Sequence, residues 1–122
     1  MGPPLPEPSD ADPGRLLAVQ LERTVDRLRA LGIARLSASF EPEPSRAAAA
    51  RAVAQRLADD AADLEGEPRR ALPVLADAAA GDQVAVCGHD LLAAASGREA
   101  DDDVAPRLIA AADLLLDLRR RV

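Results

Sequence analysis

The chain has 122 residues, one cysteine, one histidine and a formal net charge of −6. A chain of this length forms one domain and buries about two thirds of its unfolded surface, so it can fold without disulfide or metal. The acidity disfavours nucleic-acid partners, the lone cysteine with no hydrophobic leader suggests a reducing cytoplasm, and no apolar run approaches the roughly 20 residues of a membrane span.

Residue usage is lopsided. All 15 basic residues are arginine and asparagine is absent, choices that follow GC-rich codons, so the arginine content is not itself a sign of phosphate binding. Phe40 is the only aromatic residue. Single-strand stacking platforms and aromatic interface anchors are therefore lacking, and any partner surface must use Leu, Val, Ala and Arg.

Residues 1–12 read as a disordered, proline-rich acidic tail, and residues 13–122 as a single helical-bundle domain. Asp12-Pro13 gives a favoured N-cap followed by a favoured first helical residue. Leu17, Leu21, Thr24, Leu28 and Leu31 then follow at helical spacing as one apolar seam. Gly32 is expected to end this helix in a Schellman cap, with Ile33 touching Leu28. The stretch from Gly32 to Pro44 reads as a connection, with alternating Leu36, Ala38 and Phe40 suggesting a short extended piece.

Pro44-Ser45 starts the second helix, which runs to about Glu65. Its inward stripe is Ala50, Val53, Leu57, Ala61 and Leu64, and Gly66 stops it. One helical turn is expected around residues 68–72, then a bend with Val74 and Leu75 tucked inward. The third helix, Asp77–Ser96, is the most apolar stretch, capped by Asp77. Its polar side chains Asp82, Gln83, His89 and Asp90 fall on one narrow strip, so it is expected to lie centrally among the others. Gly81 and Gly88 fall with Ala85, Leu92 and Ala95 on one side, which points to a close helix contact there. Gly97 closes this helix. The Asp101–Asp103 run is expected to cap the last helix, where Val104, Leu108, Ala111, Leu115, Leu118 and Val122 form the seam.

Cys87, His89 and Asp90 are the residues considered for chemistry. On a helix Cys87 and His89 point about 200° apart and cannot share a hydrogen bond, and the carboxylate of Asp90 one turn on suppresses thiolate formation. Cys87 is therefore expected to be an inert core thiol. No catalytic, cofactor or metal set is assigned. The acidic clusters Asp59-Asp60-Asp63 and Asp101–Asp103 lack the alternating pattern of a calcium loop. The segment LERTVDRLRALGIARLS, residues 21–37, carries weak helix–turn–helix character, opposed by the overall acidity and the EPEP break behind it. On the last helix, Ile109 and Leu116 stand seven apart on a second apolar line, with Ala105 and Ala112 beside them. That arc is wider than one neighbouring helix needs, which makes these four residues the candidate interface.

The reading is an all-α protein, a four-helix bundle with a central apolar third helix and a disordered N-terminal tail. Its expected function is non-enzymatic protein–protein contact in the cytoplasm, with a protein partner or a second copy as a homodimer, no cofactor and no membrane. The alternatives are an acidic transcriptional regulator and, behind it, a thiol- or metal-dependent enzyme.

Overall fold

A computed structural model of the chain describes Gly2 and residues 12–122. The rest of the expected tail lies outside the described residues. The Asp12 carboxylate accepts the Gly14 N–H at 2.9 Å and Pro13 takes the first helical position, so α1 runs Pro13–Ala30. Leu17, Leu21, Thr24 and Leu28 of the expected seam are buried, as is Leu31 just beyond the helix. The Schellman cap at Gly32 does not form. Leu31 turns extended (φ −76°, ψ 133°), which carries its side chain into the core, and Gly32 (φ −68°) becomes the N-cap of a further short helix, α2 (Ile33–Ser37). The Gly32 carbonyl accepts the Arg35 and Leu36 N–H groups, Leu36 is buried, and Ile33 is left 57% exposed rather than resting on Leu28.

The expected extended piece is thus largely a helical turn. Phe40 follows in an isolated bridge with Glu43, its ring lying 4.6 Å from the Arg46 guanidinium and 5.4 Å from that of Arg121. These cation–π contacts keep the one aromatic ring useful without a deep pocket.

The Ser45 hydroxyl accepts the Ala48 N–H at 3.0 Å and opens α3 (Arg46–Glu65). Ala50, Val53, Leu57 and Ala61 are buried as expected, with Leu64 half-buried. Here the Schellman geometry does occur. Gly66 adopts φ 69°, the Glu67 N–H bonds the Ala62 carbonyl at 2.9 Å and the Gly66 N–H bonds Asp63.

Residues 67–76 contain no helical turn. They form an extended strap held from α3, where Gln55 donates to the Arg70 carbonyl and accepts the Leu72 N–H. Leu72 is the residue that packs on the core, whereas Val74 and Leu75 are 86% and 42% exposed, contrary to expectation. Pro73 accounts for the swap, because its carbonyl is tied to the Gln83 amide at 3.0 Å and fixes the strap one residue before Val74.

Asp77–Ala79 is a 3₁₀ turn, and α4 starts only at Ala80 and runs to Ala95. Asp77 does not cap it. Its carboxylate is taken by the Ser37 hydroxyl at 2.6 Å and Arg51 at 2.9 Å, which ties the turn to α2 and α3 and holds the Asp77 pKa below the ordinary carboxylate range. After Gly97 (φ 83°), residues 98–103 lead to α5 (Val104–Arg121). Asp103 sits at the N-cap position with no side-chain cap bond, because its carboxylate reaches forward to Arg107.

The described residues hold five α-helices and no strand. None of the helices is long and apolar enough to cross a membrane. α1 packs on α4 and α5, and α3 packs on the same two. Named contacts give the directions. Gly88 of α4 meets Leu21 and Gly81 meets Leu28, so α1 and α4 are antiparallel. Thr24 donates to the Leu115 carbonyl and Arg27 to that of Val122, so α1 and α5 are parallel. Arg107 reaches Asp60 and Asp63 while Arg121 reaches Glu43, so α3 and α5 are antiparallel. It follows that α3 and α4 are parallel, and the strap exists because a parallel neighbour requires the chain to travel back along the helix it has just made.

The third long helix is therefore the most buried but not central. Nine of its sixteen residues are buried, yet it is flanked by two long helices rather than surrounded. Its solvent strip also differs from the expected one. Gln83 is 7% exposed, its amide being consumed by the strap, and Val86 takes the place in the open at 60% exposure.

Candidate functional site

The residues with chemical potential diverge. Cys87 lies on the inner side of α4 and is 4% exposed, whereas His89 and Asp90 are exposed. Burial pushes the thiol pKa up, and the Asp90 charge adds to the rise. A thiol held protonated and out of water is a poor nucleophile. We expect a maleimide reagent to label Cys87 far more slowly in the native protein than in urea; equal rates would show the thiol open to solvent.

Arginines hold Asp60 and Asp63 of the first acidic cluster and Asp103 of the second. Arg107 Nη1 lies 3.1 Å from both Asp60 Oδ1 and Asp63 Oδ2, and Arg69 adds a second partner to Asp63 at 2.7 Å. Asp63 is held down to about 2, first by the Arg69 hydrogen bond. Asp60, hydrogen-bonded by Arg107, is raised because burial outweighs that pairing. Among the described residues no group of three His, Cys, Asp or Glu side chains is placed to hold a metal ion.

The second half of the helix–turn–helix segment is α2, five residues long. That is under two turns, too little to present a recognition helix to a major groove. Arg29, one of the cations that gave the segment its basic character, is paired with Asp82 at 2.7 Å.

The four ridge residues on α5 divide. Ala112 is 1% exposed, so it belongs to the interior and is withdrawn from the candidate interface. Ala105 and Leu116 are half-buried, and Ile109 is 42% exposed. The wide apolar arc thus serves two ends: one edge fills the core and the other stays in solvent.

A larger feature joins α1 and α4. An open groove of about 820 Å³ runs between them. Leu21, Val25, Ala18 and Ala85 form its apolar surface, and Val86 stands exposed on its α4 wall. Glu22 and Asp26 on α1, and Asp82, His89 and Asp90 on α4, make the polar rim, with the Arg29–Asp82 pair across one end. His89 and Asp90 do meet other residues here, as parts of a rim rather than of a catalytic set. Glu22, Asp26 and Val86 were missed as functional residues by sequence reasoning. Their one-turn spacings, Glu22 to Asp26 and Asp82 to Val86 to Asp90, show that each trio or pair shares a helix face. Nothing in those spacings says that the two faces adjoin.

No protein-family model, curated protein or solved structure matches the chain.

Proposed function

We propose that the chain is a four-helix bundle that acts in the cytoplasm by contact with other proteins, without catalysing a reaction, and that it associates with a second copy of itself along the α1–α5 side. The observation that carries this reading is the exposure of Ile109 on a helix whose seam already fills the core. Two features support it. Leu116, two turns on, is half-buried and extends the same line. On α1, Leu16 is 39% exposed and shares a helix line with Arg27, which bonds the Val122 carbonyl next to α5, so Leu16 stands on the same side of the molecule.

The apolar area left open there is small. It contributes about 1–2 kcal/mol per copy before the entropic cost of association. The expected species is a weak two-fold dimer in which the ridge meets its own copy. Light scattering behind a sizing column should show a mass that falls on dilution, and Ile109→Glu should give a monomer that melts as the wild type does, because that side chain lies outside the core. A wild type that stays monomeric at high concentration sinks the dimer and leaves only a foreign partner. A variant that unfolds instead shows Ile109 to be core.

A further inference from the structure

The α1–α4 groove combines an apolar floor with a predominantly acidic rim, on which Arg29 is the one arginine. Of its four carboxylates, Asp82 is neutralised by Arg29. Glu22, Asp26 and Asp90 have no ion-pair partner among the described residues. Among the described residues Arg29, Arg51, Arg69, Arg107 and Arg121 form the ion pairs, and of these Arg29 lines the groove. Val86 is presented at 60% exposure between Asp82 and Asp90, so an apolar side chain stands in the open among the groove's carboxylates.

We propose that this groove receives an amphipathic α-helix of a partner protein, with an aliphatic stripe flanked on both sides by arginine or lysine. The reasons are chemical. An anionic ligand is repelled by three uncompensated carboxylates. A helix seats its i, i+3, i+4 stripe in a groove between two helices, and its flanking residues recur by whole turns, as do Glu22 and Asp26, one turn apart on one wall, and Asp82 and Asp90, two turns apart on the other. Aliphatic contact with Val86 and Ala85 supplies burial. Arginines reaching the two rims supply register and fast association, and they are the group best suited to pair carboxylates bidentately. The groove lies on the α1–α4 side and does not depend on the α5 ridge.

The full-length chain can be titrated against a labelled synthetic peptide of about 18 residues, five helical turns, with a Leu/Ala stripe flanked by Arg. Two control peptides have the same composition in scrambled order, and Glu in place of Arg. Fluorescence anisotropy reads binding, and amide chemical shifts read its location. The expected result is saturable binding of the amphipathic cationic peptide alone, with shifts confined to α1 and α4. The affinity should fall about tenfold or more in the exposed-site variant E22Q/D26N/D90N, fall also in V86S, and weaken as salt is raised. The control variant D101N/D102N/D113N, which removes as much charge elsewhere, should bind as the wild type does. The proposal is overturned if the scrambled peptide binds equally well, if both triple variants weaken binding alike, or if the shifts map outside the groove. It is overturned too if the protein alone forms a dimer that E22Q/D26N/D90N abolishes, since a second copy then fills the groove.

Discussion

Gly88→Leu is expected to lower stability by about 1–3 kcal/mol, although leucine is the better helix former by close to 1 kcal/mol. The reason is the distance between α4 and α1. A Cβ built on Gly88 meets both terminal methyls of Leu21, one of them at 2.6 Å. Leu21 is itself 2% exposed and sits in the packed interior, so its methyls have little space to move into. Gly81, two turns earlier on the same side, is a contrast on one helix. Its added Cβ would first meet the Arg29 Cγ at 3.2 Å, part of an exposed, flexible side chain. Gly81→Ala should therefore be neutral or stabilising by up to about 1 kcal/mol. Chemical denaturation of both variants, with Leu21→Ala alone and combined with Gly88→Leu, closes the test. Relief of the clash makes the double variant less destabilised than the sum of the singles. Additive losses would place the two side chains out of contact and remove the close α1–α4 approach on which the groove geometry rests.

The contrast between these glycines also shows what sequence could and could not convey. Periodicity placed Gly81 and Gly88 on one side of a helix, because a 3.6-residue repeat fixes which residues share a face. The seams of α1, α3 and α5 were legible for the same reason. What periodicity leaves out is which face meets which. Gln83 and Val86 show this: by composition the glutamine belongs outside and the valine inside, but the strap supplies an amide partner through the Pro73 carbonyl, and among the described residues no helix covers Val86. The strap was misread because its residues are held by Gln55 of α3, a contact with no local signature. The C-terminal end of α1 and the start of α4 differ from expectation for a related reason. Gly32 and Asp77 both carry signals that suit a helix terminus, and tertiary demands, the burial of Leu31 and the pairing of Asp77 with Arg51 and Ser37, assigned them other work. The groove was invisible from sequence because its two walls are some sixty residues apart and become neighbours only through the antiparallel packing of α1 and α4.

Arg107→Ala is expected to cost about 1–3 kcal/mol at neutral pH, and the deficit should shrink as the pH is lowered. Arg107 is the side chain that links the start of α5 to the end of α3, with a side-chain exposure of 30% against 20% for Asp60 and 23% for Asp63. That is intermediate between the surface pairs that contribute little and the buried ones whose loss is severe. Without it, two carboxylates one turn apart on α3 are left half-buried, and only Arg69 remains for Asp63. The two acids have opposite linkage. Asp63 is held down to about 2 from the ordinary 3.8, so its contribution is present above about pH 4 and is lost as the pH falls toward 2. Asp60 is raised above 3.8, so its contribution is present at low pH and is lost as the pH rises through its folded value. Arg107 moderates the second effect and supports the first, and both services require ionised carboxylates. Urea unfolding midpoints of wild type and Arg107→Ala at pH 7, 5 and 3 should therefore draw closer as Asp60 protonates first, while Asp63, held down to about 2, preserves part of the deficit at pH 3. A deficit that stays constant over that range would assign the arginine's contribution to the packing of its aliphatic stem on α3 rather than to the charge cluster.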